Sequence, residues 1–217
     1  MAIFSNFTCD AAVRYLRLPH RWRLVIAPRP SDDMLRDFIQ PAIRAIPRSI
    51  VRRLPLCTFL LAPSLDGEDI ASRWTETAES LEIAVSTEAA EPHDIALELL
   101  TCLGQALWER TTIAERTGWL ALLRAEIEDG VNGEIDDGAL LAKREILSSH
   151  AAALSTRRLE EYARASFAGT AAEYIHCLWH DVTVRTGPEH LPAGPLRKRI
   201  EFMTRFFAPN RGPRVIA

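Results

Sequence analysis

One long amphipathic segment, residues 92–111, constrains the fold of this 217-residue chain more than any other feature. Pro92 suits the first turn of a helix, because the N–H that proline lacks has no intrahelical partner at that position. Apolar side chains then recur at spacings of three and four residues, which is typical of one helix face: Ile95, Leu99, Leu100, Leu103 and Leu107. We therefore expect a helix here, with a sheet packed beside it.

The segments before this helix predict strands, and those after it predict helices. Apolar runs at residues 22–27 and 56–61 predict strands, and a helix interrupted by Pro41 and Pro47 lies between them. Residues 81–86 alternate apolar and polar side chains, which favours a half-exposed strand at a sheet edge. Residues 68–78 fit either a short helix or a further strand. Helical patterns follow at residues 118–128, 136–154, 157–167, 170–182 and 196–207, and the third and fourth also fit a single helix with Gly169 inside it.

Strands first and helices later predict an α+β fold. We expect a small mixed sheet over residues 20–111 and a mostly helical part over residues 115–207, in a single domain spanning residues 1–217. Hydrophobic residues make up 47% and charged residues 25% of the chain, which is typical of a globular protein with a buried core.

The distribution of charge argues against nucleic acid and membrane as partners. The net charge is −3, so no overall attraction to polyanions is expected. Two basic clusters lack interleaved aromatic residues: Arg44, Arg48, Arg52 and Arg53, and later Arg197, Lys198 and Arg199. The first four recur at helical spacing and are interpreted as one solvated helix face. An acidic run without EF-hand spacing is interpreted as an exposed loop: Glu126, Glu128, Asp129, Glu134, Asp136 and Asp137.

The N-terminal residues, the absence of a long apolar stretch and the cysteines favour a cytoplasmic protein. No apolar stretch reaches the length of a membrane span, and the first ten residues do not resemble a secretory signal. The four cysteines form no Cys-x-x-Cys pair, which favours reduced thiols over disulfides or a structural zinc site.

Residues 99–109 read Leu-Leu-Thr-Cys-Leu-Gly-Gln-Ala-Leu-Trp-Glu. This segment resembles the active-site helix of zincin metallopeptidases, which reads LL-HE-LGH-ALWE or close to it. Thr101 and Gln105 stand where the family has its two histidines, and Cys102 stands where it has its glutamate. The order strand, helix, strand, strand, helix over residues 22–111 is also that of the minimal zincin core. The resemblance implies a zincin-like scaffold that has lost zincin hydrolysis.

The family also brings a glutamate ligand from a later helix, in a pattern loosely similar to residues 166–174 of this chain. That alignment puts Ser166 at the position of the ligand glutamate. Thr and Gln are weak, neutral zinc ligands, and Cys102 cannot replace a carboxylate base. The resemblance therefore implies no catalytic residue, no metal and no cofactor, and a former active-site cleft lined by Thr101, Cys102, Gln105 and Ser166.

His176 and His180 form a separate candidate site. Two imidazoles one helical turn apart can chelate a divalent metal, although Cys177 stands where a metallopeptidase would carry its glutamate. The alternative is an aromatic-rich helix on which these histidines face solvent or make hydrogen bonds. His93 is interpreted as an isolated surface residue in the first turn of its helix.

Three functions follow from these patterns. The first is an inactive zincin-like protein that binds or regulates through the former cleft and accepts a peptide or protein partner by strand addition at residues 81–86. The second is a metal-dependent hydrolase that uses His176 and His180. The third is a structural interaction protein unrelated to zincins. The sequence leaves the ligand and the oligomeric state open.

Overall fold

The computed structural model describes residues 14–27, 31–65, 71–77, 79–88, 90–148, 156–180 and 187–210. Within these residues the strands form one mixed sheet in the order β1-β2-β3-β5-β4. Strands β2, β3 and β5 run parallel, and β1 and β4 pair antiparallel at the two edges. The strands are β1 (Arg14–Arg17), β2 (Arg23–Ile26), β3 (Leu56–Ala62), β4 (Ser72–Glu76) and β5 (Ser80–Ser86).

Helices connect β2 to β3 and make up the chain after β5. The first group is α1 (Asp32–Met34), a π-helical turn (Leu35–Ile39), α2 (Gln40–Ala45) and α3 (Arg48–Val51). The second group is α4 (Pro92–Trp108), α5 (Ile113–Glu128), α6 (Asp137–Ser148), α7 (Thr156–His176) and α8 (Ala193–Phe206). The predicted α+β class, with a mixed sheet followed by a mostly helical half, is confirmed.

Most of the predicted elements are found where the patterns put them. The helix at residues 31–53 is interrupted before Pro47, where the backbone turns extended, and α7 is a single helix that includes Gly169. The segment left open between helix and strand forms β4. The predicted extensions of α6 to residue 154 and of α7 to residue 182 lie partly outside the described residues.

The predicted edge position of residues 81–86 is wrong. Strand β5 pairs with β3 on one side and with β4 on the other, so the edge on this side of the sheet is β4. Along β5 the apolar residues on one face are buried, and the polar residues on the other face, Ser80, Glu82 and Ser86, are partly exposed. Leu81, Ile83 and Val85 belong to the main core, and Ala84 belongs to a second apolar cluster on the opposite face of the sheet.

Helix α4 lies between the sheet and α7, and its apolar stripe supplies much of the main core. The two helices approach so closely that a Cβ on Gly104 would lie 2.7 Å from the carbonyl oxygen of Ala168. Only glycine fits this crossing without moving a helix. The crossing fixes which faces of α4 and α7 border the space beyond it.

The acidic run that was expected to be an exposed loop, and the second basic cluster, contribute buried side chains. Arg199 is fully buried, and Glu126 and Glu134, from the acidic run interpreted as an exposed loop, are 4% and 1% exposed. Arg53 makes two 2.7 Å contacts with the buried Glu115 of α5. These side chains are buried because each finds an opposite charge on a distant element, which compensates the loss of hydration.

Candidate functional site

Thr101 and Gln105, which stand at the positions of the family's histidines, lie one turn apart on α4 and line the same cleft. Thr101 Oγ1 donates a 3.0 Å hydrogen bond to the carbonyl of Leu97. Gln105 Oε1 accepts a 2.8 Å hydrogen bond from Nε1 of Trp74 on the edge strand β4. Both side chains are uncharged, so neither brings a general base or a strong zinc ligand to the cleft.

Cys102 lies on a different face of α4, against β4, and does not line the cleft. Its Sγ donates to Ser72 Oγ at 3.1 Å, and the Ser72 hydroxyl donates to Glu98 Oε1 at 2.5 Å. The residue is only 2% exposed, and burial raises the pKa of its thiol to about 12. The thiol is therefore protonated at neutral pH and cannot act as a nucleophile.

Ser166 also lies outside the cleft. It is 1% exposed in the core, and its Oγ donates to the carbonyl of Ala163 one turn earlier on α7. The residues of α7 that line the cleft are instead Gly169, Ala172 and Glu173. The structure thus places two of the four predicted cleft residues on the cleft, and it places Cys102 and Ser166 in the packed interior.

The cleft has a volume of about 550 Å³ and lies between α4, α7, residues 134–138 and residues 189–191. Its lining is strongly acidic and contains seven carboxylates: Asp94, Glu98, Glu134, Asp136, Asp137, Glu173 and Glu189. Among the described lining residues, His190 alone could carry a positive charge, and its Nε2 lies 3.2 Å from Glu189. The cleft therefore favours cations over anions.

Asp136 is a half-buried carboxylate of the cleft with one oxygen that lacks a hydrogen-bond partner. Its Oδ1 accepts a 2.9 Å hydrogen bond from the backbone N–H of Ala139 in the first turn of α6, whereas its Oδ2 is buried without a hydrogen-bond partner. Burial raises the pKa of Asp136, and the negative charges of Glu134 and Glu98 raise it further. A Cβ on Gly169 would lie 2.0 Å from Oδ2, so the glycine makes room for this carboxylate on α7.

Glu134 differs from Asp136 because its charge is compensated within the protein. Arg199 donates to its two oxygens at 2.7 and 2.8 Å, Lys143 Nζ lies 3.0 Å away, and Tyr162 donates its hydroxyl hydrogen. Although burial opposes ionisation, the hydrogen bonds and charge of Arg199 hold the pKa of Glu134 below its usual range. Glu134 is therefore a structural anion on one wall of the cleft.

A second group of polar side chains lies where α4 begins and α7 ends. Nε2 of His93 lies 3.1 Å from Nε2 of His176, and the ring of His180 stacks on that of His176 with centroids 5.1 Å apart. His176 is 4% exposed, and burial followed by the charges of His93 and His180 lowers its pKa to about 4. The interpretation of His93 as an isolated surface residue is wrong, because its ring packs against that of His176.

Sequence reasoning missed Asp136 and His93 for different reasons. Asp136 is the first residue of the helical pattern at residues 136–154 and belongs to the acidic run interpreted as an exposed loop, and neither feature reveals that one of its oxygens is buried. His93 and His176 are 83 residues apart, and no local pattern links them.

Comparisons of the chain with protein-family models, with curated proteins and with solved structures found no match. Within the described residues, no group of three or more His, Cys, Asp or Glu side chains is arranged to hold a metal ion. None of the described helices combines the length and the apolar character that a membrane crossing requires.

Proposed function

We propose that this chain is a zincin-like protein without peptidase activity, which binds a cationic segment of a partner in the cleft between α4 and α7. The order of its elements supports the first part of the proposal, because β2, the first group of helices, β3, β5 and α4 follow each other as the resemblance implies, with β4 as an additional strand. The common cleft-facing orientation of Thr101 and Gln105 supports it as well, since these positions carry the metal ligands in the resembling family.

The side chains at the former catalytic positions support the absence of hydrolysis. A catalytic zinc needs about three nitrogen, oxygen or sulfur ligands and an open position for water. Thr101 and Gln105 supply neutral, weak donors, and the protonated thiol of Cys102 faces β4 instead of the cleft. A general base is most effective when its pKa lies near the working pH, which the buried thiol does not satisfy.

The ligand class rests on one observation, the buried and unpartnered Oδ2 of Asp136 in a cleft that has six further carboxylates in its lining. An ammonium or guanidinium group would supply the missing donor in a charge-assisted hydrogen bond. A volume of about 550 Å³ is in the range of pockets that hold small ligands, roughly 300–1,000 Å³, so the cleft suits one or two basic side chains.

The edge strand β4 extends this binding surface. Among the described strands β4 pairs only with β5, so its other edge has backbone groups available for an added strand. Three alternate side chains hold β4 on α4: Ser72 contacts Cys102, Trp74 contacts Gln105, and Glu76 pairs with Arg110. Because Trp74 bonds directly to a cleft residue, an extended peptide along β4 would run beside the cleft.

Binding of extended peptides to the full chain tests the ligand class. We expect peptides with Arg or Lys to bind, and their glutamine-substituted counterparts to bind much more weakly. Asp136→Asn should weaken binding roughly 10- to 100-fold, because a hydrogen bond to a charged group contributes about 1.5–3 kcal/mol. Glu128→Gln, at an exposed position of α5 away from the cleft, is the matched control and should bind as wild type. Equal binding of basic and neutral peptides, or no effect of Asp136→Asn, contradicts the proposal.

Peptide hydrolysis tests the other half of the proposal. Incubation with quenched fluorogenic peptides, with and without added zinc, should give no turnover. Turnover that is abolished by the double substitution Thr101→Ala and Gln105→Ala would place an active centre on α4 and overturn the assignment.

A cytoplasmic location is also part of the proposal. Cys57, Cys102 and Cys177 are free thiols, and Cys57 and Cys102 are buried. Reduced cysteines of this kind are typical of proteins in a reducing compartment.

A further inference from the structure

The histidine cluster at the start of α4 and the end of α7 has the geometry of a metal-binding pair. The ring centroids of His93 and His176 are 4.8 Å apart, and their planes are nearly perpendicular at 83°. A straight N–H···N hydrogen bond with the observed Nε2–Nε2 distance of 3.1 Å would hold the centroids about 5.4 Å apart. At least one ring is therefore tilted relative to the line that joins the two nitrogens.

We propose that His93 and His176 bind a divalent transition-metal ion through their Nε2 atoms. Zinc–imidazole bonds are about 2.0–2.1 Å long. The two nitrogens are 3.1 Å apart, so an ion at that distance from both would make an N–metal–N angle of roughly 98°. This angle lies between the octahedral and tetrahedral values. The two ligands are already placed for one ion, and little rearrangement is needed to accept it.

The surroundings of His93 suit a metal ligand, whereas Nδ1 of His176 is buried without a hydrogen-bond partner. The second ring nitrogen of His93, Nδ1, lies 3.4 Å from Oδ1 of Asp94, and a carboxylate at this position orients a metal-bound imidazole. The ring of His176 is buried and packs edge-on against Trp179, with centroids 5.4 Å apart. His93 is partly exposed and His180 is exposed, so an ion can reach the site from solvent.

A pair of imidazoles selects zinc, cobalt, nickel or copper over calcium and magnesium, which prefer oxygen ligands. Two protein ligands leave the remaining coordination positions to water.

The experiment is a titration of the full-length chain, purified without a histidine tag, with zinc chloride by calorimetry and with cobalt(II) chloride by visible absorption. We expect one equivalent of metal to bind, and a cobalt d–d spectrum to appear. His93→Gln should weaken binding roughly tenfold or more, because it removes a ligand from a partly exposed position without opening a core cavity. His176→Asn should have the same effect.

The matched control is His20→Asn, which removes a histidine from the turn before β2. His20 has a φ of 66°, a conformation that asparagine tolerates. This variant should bind zinc as the wild type does. Circular dichroism of each variant separates loss of a ligand from loss of the fold. No saturable binding by the wild type overturns the proposal, as does equal affinity in folded His93→Gln and wild type.

Discussion

At the residue scale, the buried carboxylate of Asp136 gives the protein an unusual dependence of stability on pH. Burial, and then the charges of Glu134 and Glu98, raise its pKa in the folded state, so the folded protein holds this proton more tightly than the unfolded chain. The resulting stabilisation is present below the unfolded pKa of about 3.9 and is lost as the pH rises through the folded pKa. Asp136→Asn keeps an oxygen acceptor for Ala139 and removes the charge. Relative to wild type, the variant should therefore gain stability as the pH rises from about 4 through the folded pKa of Asp136, and keep that gain above it.

Urea denaturation across this pH range measures the effect. Asp137→Asn, at the exposed neighbouring position in the first turn of α6, is the control, and its difference from wild type should not rise with pH. A flat or falling difference for Asp136→Asn would show that its carboxylate is not destabilised by burial.

The site could be predicted from the sequence only where its residues belong to one helix. Thr101 and Gln105 face one cleft because residues four apart on a helix share a face, a relation that the sequence contains. The position of Ser166 depends on how α7 is rotated against α4, and that rotation is set by the contact of Gly104 with Ala168. The loose similarity of residues 166–174 to the family's pattern cannot reveal such a contact. The alignment therefore selected Ser166, which faces the core.

At the element scale, the crossing of α4 and α7 should be sensitive to a single methyl group. Gly104→Ala would bring a Cβ within 2.7 Å of a backbone oxygen on α7, which cannot move without shifting the helix. We expect a loss of about 1–3 kcal/mol in the free energy of unfolding, measured by urea denaturation. Gly118→Ala is the matched control on α5, where the nearest atom is a side-chain carbon of Phe202 at 3.1 Å. That ring can yield, and alanine favours a helix over glycine, so the control should lose less or gain. Equal losses would contradict the packing argument.

The same scale shows which elements a pattern can predict. Helix α4 was predictable because its apolar stripe and its proline are local features of the sequence. Strand β1 was not predicted, because Arg14–Arg17 is an edge strand with mostly exposed side chains and no apolar alternation. The position of β5 in the sheet was predicted wrongly. The alternation of apolar and polar side chains in a sequence shows which face of a strand is buried, but it does not show whether the strand has a neighbour on one side or on both.

At the scale of the whole molecule, one buried charge network joins the helices of the second half. Arg199 of α8 contacts Glu126 of α5 and Glu134, and Glu134 also contacts Lys143 of α6 and Tyr162 of α7. Glu134 and Arg199 are 65 residues apart, so the acidic and basic runs in the sequence give no sign that they meet. The network makes the wall of the cleft depend on the packing of α8.

Removal of Arg199 should therefore destabilise the whole helical half. Arg199→Met leaves two buried carboxylates with too little positive charge, and we expect a loss of about 3–5 kcal/mol in the free energy of unfolding at neutral pH. Because the folded pKa of Glu134 is lowered, its stabilising contribution is present above the unfolded pKa of about 4.3 and is lost as the pH falls through the folded pKa. The difference in the free energy of unfolding between Arg199→Met and wild type should therefore become smaller in acid.

Two further variants control for this prediction. Arg197→Met, two residues earlier on the exposed face of α8, should change the stability very little. Adding Glu134→Gln to Arg199→Met should recover part of the lost stability. If urea denaturation gives the two arginine variants equal stability, the network does not hold α8 in place.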